Sequence, residues 1–140
     1  MTKRNYSLIL LAALAMFTIA SCGKYEEGPG FSLSSKMGRV DNTWEIDLVK
    51  YNGVDITTNF KALYPDFQMT FKKEGSYELL LDGDRETGTW VFDSKKEKML
   101  LTESTTKSVE VWSIMRLTQE ELWTVIEDGS DKIEWRLKEK

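Results

Sequence analysis

From residue 43 onward the chain alternates apolar and polar residues in short runs, roughly 43–51, 67–73, 76–82, 87–93, 98–103, 108–117, 120–128 and 131–138. Turn-forming residues separate them: Asn52-Gly53, Lys73-Glu74-Gly75, Asp82-Gly83, Asp93-Ser94, Ser104-Thr105-Thr106 and Asp128-Gly129-Ser130. A period of two marks half-buried strands, and breaks this short join antiparallel neighbours. The pattern therefore predicts eight strands in a meander. Only residues 54–66 are irregular; Thr57 to Leu63 reads as one short helix, ended by Pro65, whose ring disfavours helical backbone at the residue before it.

Opposite residues of an antiparallel pair share a face, so pairing neighbours tests the register. The loop at Lys73-Glu74-Gly75 sets Phe71 opposite Tyr77 and Met69 opposite Leu79. Closing the next hairpin between Asp82 and Thr87 sets Leu79 opposite Trp90 and Tyr77 opposite Phe92. Phe92 then meets Met99 and Trp90 meets Leu101, followed by Leu101 with Val109 and Met99 with Val111. A turn at Thr118-Gln119 gives Val111 with Ile126 and Met115 with Leu122. A Gly129-Ser130 loop pairs Ile126 with Ile133, Thr124 with Trp135 and Leu122 with Leu137. One apolar face runs through all of these strands, and Trp44, Ile46 and Leu48 of the first strand join it. A sheet closed on itself covers such a face and leaves no edge. The expected fold class is thus all-β, an eight-stranded antiparallel up-and-down meander closed into a small barrel, with a two-sheet sandwich as the alternative.

The same register leaves a misfit outside. Trp112 and Ile114 fall on the outer face beside Trp123 and Val125, with Arg136 opposite Trp123, where its guanidinium can stack on the ring. Such a patch is seldom left in water. Either Phe31, Leu33 and Met37 lie across it, or it docks an envelope protein partner or a second copy.

Upstream of the strands the pattern changes. Lys3 and Arg4 precede an apolar run from Leu8 to Ala20, shorter than the about 20 residues that span a bilayer but suited to the core of a signal peptide. It ends in Ile19-Ala20-Ser21-Cys22, which resembles the bacterial lipobox and holds the chain's single cysteine. The resemblance implies a diacylglyceryl thioether on Cys22, cleavage before it and acylation of the new amine. Several acyl chains, each buried CH₂ adding ~0.8 kcal/mol, anchor a protein stably where one does not. The expected organisation is a lipoprotein signal peptide over 1–21, a lipidated cysteine and flexible tether over 22–38, and a barrel domain over 39–140.

Charge and chemistry then narrow the function. Without Lys3 and Arg4 the 19 basic residues become 17 against 23 acids, a formal charge of −6, and no basic run exists, which argues against a nucleic-acid partner. With no histidine and its one cysteine in the lipobox, the chain has neither the commonest general base nor a free thiol nucleophile. No phosphate loop or Gly-x-Ser-x-Gly elbow occurs. Asp82, Asp84 and Glu86 carry calcium-loop spacing but lack the glycine at position 87, and they read as a turn, as do Asp128 and Asp131. The acids all fall on turns or the outer face, away from any shared cleft. The expectation is a protein that is not an enzyme, with no cofactor and no metal.

The lipobox, the tether Lys24-Tyr25-Glu26-Glu27-Gly28-Pro29, then Arg39-Val40 and Asn42-Thr43-Trp44 before the meander together resemble the lipocalin-like lipoproteins of Bacteroidota. Lipocalins open with Gly-x-Trp, and Trp44 stands at that Trp, with Asn42 where Gly is usual. The family's last-strand Arg stacks on this Trp; Arg136 is nearest in position, but the register turns it outward. The resemblance implies an outer-membrane, lipid-anchored, non-catalytic protein holding a small hydrophobic molecule. Trp44 and Trp90 would lie within, and Phe60, Leu63 and Tyr64 would lid one end. The interior, rich in aromatics and poor in small residues, should be mostly packed, with at most a small pocket at the lidded end, where Phe60, Leu63 and Tyr64 read alternatively as a plain hydrophobic plug. The alternative is a filled barrel that acts through its outer patch.

Overall fold

A computed structural model describes residues 35–140. The signal segment, Cys22, Phe31 and Leu33 lie outside the described residues. A short helix α1 (Lys36–Val40) leads into strand β1 (Asn42–Tyr51), a two-residue strand β2 (Val54–Asp55) and helix α2 (Thr57–Leu63). Seven further strands follow: β3 (Gln68–Phe71), β4 (Ser76–Leu81), β5 (Asp84–Phe92), β6 (Lys98–Glu103), β7 (Val109–Leu117), β8 (Glu121–Asp128) and β9 (Asp131–Glu139). Each long strand pairs antiparallel with the next, and β9 returns to pair with β1. Eight strands thus close into an up-and-down barrel, with β2 added beside β1. The sandwich alternative does not occur.

Three of the six hairpins take the expected register: Phe71 with Tyr77, Trp90 with Leu101 and Ile126 with Ile133 stand opposite one another. In β7–β8 Ser113 stands opposite Val125 and Leu117 opposite Leu122, where Val111 with Ile126 and Met115 with Leu122 were expected. Two further departures matter. The β4–β5 turn is tighter than expected. Asp82 and Gly83 both take positive φ, +53° and +78°, the conformation of a two-residue type I′ turn, so β5 starts at Asp84 rather than near Thr87. Leu79 therefore faces Glu86 instead of Trp90, and Tyr77 faces Gly88 instead of Phe92. The slip spans an even number of residues, so Trp90 stays inside.

The second departure is an odd shift, and it inverts a face. Leu101 stands opposite Glu110 and Met99 opposite Trp112, where Val109 and Val111 were expected. Trp112 and Ile114 therefore point inward, 4% and 5% exposed, while Val109 and Val111 face solvent. A bulge between Ile114 and Arg116 restores the opposite parity, so that Leu117 is also fully buried. A second bulge between Ile46 and Leu48 does the same in β1, burying Val49 where Leu48 was expected. Bulges let one strand send apolar residues of both parities to one side.

The expected outer patch is thereby corrected. Of its four residues only Trp123 and Val125 stay outside. Trp123 lies under two guanidinium groups, Arg136 at 4.2 Å and Arg116 at 5.2 Å from the ring centroid. Glu134 and Glu121 hold those arginines at 2.9 and 2.6 Å. Val125, paired with Glu134 and next but one to Trp123 on the same face, is 8% exposed. The barrel's own side chains cover this surface. Met37, expected to help, packs instead against the core from α1.

The two ends of the barrel differ. Chain direction places α1 with the β3–β4, β5–β6 and β7–β8 connections at one end, and α2 with the β4–β5, β6–β7 and β8–β9 connections at the other. The α1 end is packed solid. Val40, Trp44, Phe71, Leu117, Leu122 and Leu137 have no exposed surface. Trp44 Nε1 donates to the Val40 carbonyl at 3.1 Å, and Arg39 donates to the Leu117 carbonyl at 3.0 Å, tying the helix across the barrel's base. The side chain of Ser35 caps α1 by accepting from Gly38 N at 3.0 Å. The ordered fold thus reaches into 36–38, residues that the chain's composition assigns to the tether.

Gly88 is where the wall is thinnest. A Cβ there would meet the Thr102 carbonyl at 2.2 Å and the Tyr77 ring at 2.4 Å, so the ring lies flat against backbone that only glycine can present. Gly88→Ala should therefore cost about 1–3 kcal/mol through overpacking. Denaturant unfolding measures it, and a midpoint equal to that of the parent protein would refute this close approach.

Candidate functional site

The α2 end holds a cavity of about 360 Å³. The packing that fills the base stops short of it because the lid is thin. Helix α2 buries none of its own residues, and Phe60 alone reaches down against the core. Phe60 lies edge-on to Trp135 at 5.2 Å and to Phe67 at 5.7 Å, with Tyr64 tilted against it at 4.9 Å. Phe67 stacks on Trp135 at 5.5 Å. These four rings form the roof and one wall. Met69, Leu79, Leu81, Leu101, Trp112, Ile126 and Ile133 complete the apolar lining.

Two polar contacts fasten the lid. At its start Val49 N donates to Thr57 Oγ1 at 2.9 Å, and Thr57 N donates to Asp55 Oδ1 at 2.9 Å. At its exit the Asp66 carboxylate accepts from Asp82 N at 2.9 Å and Gly83 N at 2.6 Å, clasping the β4–β5 turn. The turn expected from the Asp82-Asp84-Glu86 spacing is therefore held by an acid from the lid. Among the described residues no group of three or more acidic or sulfur ligands is placed to hold a metal.

The polar part of the cavity is acidic. Glu86 of β5, Glu103 of β6 and Glu110 of β7 line it together with Tyr77 and Ser108. This corrects the expectation that every acid lies on a turn or the outer face. Glu86 becomes a strand residue through the tight Asp82-Gly83 turn, and Glu110 turns inward with Trp112. Each carboxylate is positioned by a neutral donor. Tyr77 Oη donates to Glu86 Oε1 at 2.7 Å, and Trp112 Nε1 donates to Glu110 Oε2 at 2.6 Å. Glu103 accepts from Thr105 N at 2.7 Å, from Thr106 Oγ1 at 2.5 Å and from Thr106 N. Those hydrogen bonds hold its carboxyl down at about 2. Burial, the bond to Glu86 and the charges of Glu86, Glu103 and Glu110 together push the Tyr77 hydroxyl well above its ordinary range, so it stays a protonated donor.

Among the described residues, two buried polar side-chain atoms inside the barrel lack partners. Thr124 is fully buried with its Oγ1 unpartnered, and opposite it on the same face Trp135 Nε1 is shielded from solvent and equally unpartnered. An unsatisfied buried donor costs about 1–3 kcal/mol.

The residues singled out from the chain divide accordingly. Phe60 and Tyr64 line the cavity. Leu63, one turn beyond Phe60 at the end of α2, is 67% exposed and does not line it. Trp44 and Trp90 are core residues that do not line the cavity: Trp44 is in the closed base, and Trp90 packs on Phe71 and Phe92. Arg136 points outward, as the register requires, and stacks on Trp123 rather than on Trp44. The acidic rim and Trp135 were missed as site residues. Glu103 shares parity with Met99 and Leu101, so its inward direction was available in the alternation.

No protein-family profile matches the chain, and no curated protein matches it. Among solved structures, a crystal structure of a DUF4847 family protein from Bacteroides vulgatus is similar with a TM-score of 0.47 and 15% identity. That similarity covers 69% of this chain and 92% of the other. It is too distant to transfer a function.

Proposed function

We propose that this protein is a lipid-anchored, non-catalytic binding protein of the outer membrane that holds one small, largely hydrophobic molecule in its barrel. The carrying observation is the apolar cavity of about 360 Å³, roofed by the Phe60 lid, in a barrel whose other end is packed shut. Small-molecule sites are concave, mostly apolar and carry a few placed polar groups, at volumes of roughly 300–1,000 Å³. An alternative role as a docking protein loses its support, because Trp112 and Ile114 are core residues and Trp123 is covered.

Native mass spectrometry of the protein from its own host tests the binding role. A small molecule released with the protein supports it, and a protein partner with an empty barrel speaks for the alternative.

Anchoring rests on Cys22 and the apolar run before it. Residue 35 enters at the packed base, so the mouth lies at the opposite end of the barrel from the proposed tether. Cys22→Ala should leave the precursor uncleaved or release the protein from the membrane fraction. A variant that still fractionates with outer membrane and resists high salt would show the lipid reading to be wrong.

A further inference from the structure

The chemistry of the cavity narrows the class of molecule that fits it. Three carboxylates enter it from adjacent strands, at Glu86, Glu103 and Glu110, and no lysine or arginine is among the lining residues. Register explains the cluster: Gly88 stands opposite Glu103 and Leu101 opposite Glu110, and each acid shares the inward parity of Gly88, Leu101 or Trp112 on its own strand. Among the described residues none of the three has an ion-pair partner. Their hydrogen bonds come from a phenol, an indole, a hydroxyl and backbone amides, which orient a carboxylate without cancelling its charge. The cations nearest along the chain are engaged elsewhere: Arg85, beside Glu86, pairs with Glu78, and Lys107 donates its Nζ to the Ser104 carbonyl.

An apolar chamber under an uncompensated anionic mouth is a poor place for a fatty acid or any other hydrophobic anion. The match is a molecule with an apolar body and a positive head. The aromatic wall agrees with this, because ring faces attract cations as well as burying hydrocarbon.

Resting on the binding role proposed above, we infer that the ligand is an amphipathic amine, its hydrocarbon among Phe60, Leu79 and Trp135 and its ammonium group between Glu86, Glu103 and Glu110. A protonated amine brings three charged N–H donors to carboxylates whose hydrogen bonds among the described residues come from neutral groups. The selectivity is directional: the same body with a hydroxyl should bind less well, and with a carboxylate least.

Calorimetric titration of the full chain with octylamine, 1-octanol and octanoate at neutral pH and low salt tests this. The same chain carrying Leu79→Trp, which fills the cavity, is the blank for binding elsewhere. Octylamine should bind at least ~10-fold more tightly than octanol, the scale of one hydrogen bond to a charged group. Glu86→Gln with Glu110→Gln, both at exposed positions, should remove most of the preference for octylamine over octanol, leaving the share that Glu103 supplies. Added sodium chloride should weaken octylamine alone, which provides a readout independent of any variant. Octanol or octanoate binding as tightly as octylamine would overturn the amine inference and leave the binding role standing. Failure of all three to bind, or binding undiminished by Leu79→Trp in a folded protein, would overturn both.

Discussion

Trp90→Ala will cost the barrel about 3–5 kcal/mol, the range for removing a large buried aromatic side chain. Trp90 is 1% exposed and holds the base together in two ways. Its ring meets Phe71 edge-on at 5.8 Å and Phe92 at 5.2 Å, and its Nε1 donates to the Lys72 carbonyl at 2.9 Å, fastening the β3–β4 loop across the end of the barrel. Alanine leaves a cavity and removes one of the two donors to that carbonyl, which keeps only its bond from Gly75 N at 2.9 Å. A domain of about 100 residues has a total stability of only ~5–15 kcal/mol, so this single change can bring the protein to the edge of unfolding. Urea titration followed by circular dichroism measures the loss; a value under 1 kcal/mol would contradict the inward position of Trp90. Phe92 stands near the edge of the same cluster and is only half-buried, so Phe92→Ala should cost less than Trp90→Ala.

Trp112→Ser and Trp123→Ser should differ sharply, although the two tryptophans lie on neighbouring strands. Trp112 is 4% exposed, packs edge-on against Phe71 at 5.9 Å and donates to Glu110. Serine there removes core volume and leaves a hydroxyl among apolar groups, a loss of about 3–5 kcal/mol. Trp123 lies outside between Arg116 and Arg136, and its replacement loses two cation–π contacts of about 0.5–1 kcal/mol each plus the cover over Val125. Equilibrium unfolding of the two variants checks the register of β6 on β7 directly. Equal, small losses would mean that Trp112 faces outward and that the one-residue shift is wrong.

Much of the candidate site could be read from the chain, and what could not depended on one strand. Thr57–Leu63 as a lid helix over one barrel end follows from its place between strands and from Pro65, and Phe60 and Tyr64 fall where expected. Leu63 shares the side of Phe60, one turn further on, but at the end of α2 it stays 67% exposed, and nothing in so short a segment marks how far along it the barrel reaches. Glu86 and Glu110 could not be placed without the correct turn and the correct parity. An acid in a strand is read as outward until something else fixes the face.

The sequence by itself determined the eight barrel strands, their order, the positions of the turns and the closure into a barrel; the extra strand β2 (Val54–Asp55), in a stretch read as irregular, it did not. Those follow from local rules: a period of two, glycine and asparagine at tight turns, and one apolar face that has to be covered. It also determined the inner residues wherever an error in a loop spans an even number of residues, as at Asp82-Gly83, because parity survives such a slip. What only the tertiary structure decided was the parity of β7. Its sequence Val109-Glu110-Val111-Trp112-Ser113-Ile114-Met115-Arg116-Leu117 is apolar on both faces, so alternation cannot choose. Packing chooses: the barrel has room for a tryptophan beside Phe71, burying Trp112 removes far more apolar surface from water than burying Val111, and a bulge before Arg116 then recovers Leu117. The same choice carries Glu110 into the cavity and completes its acidic rim.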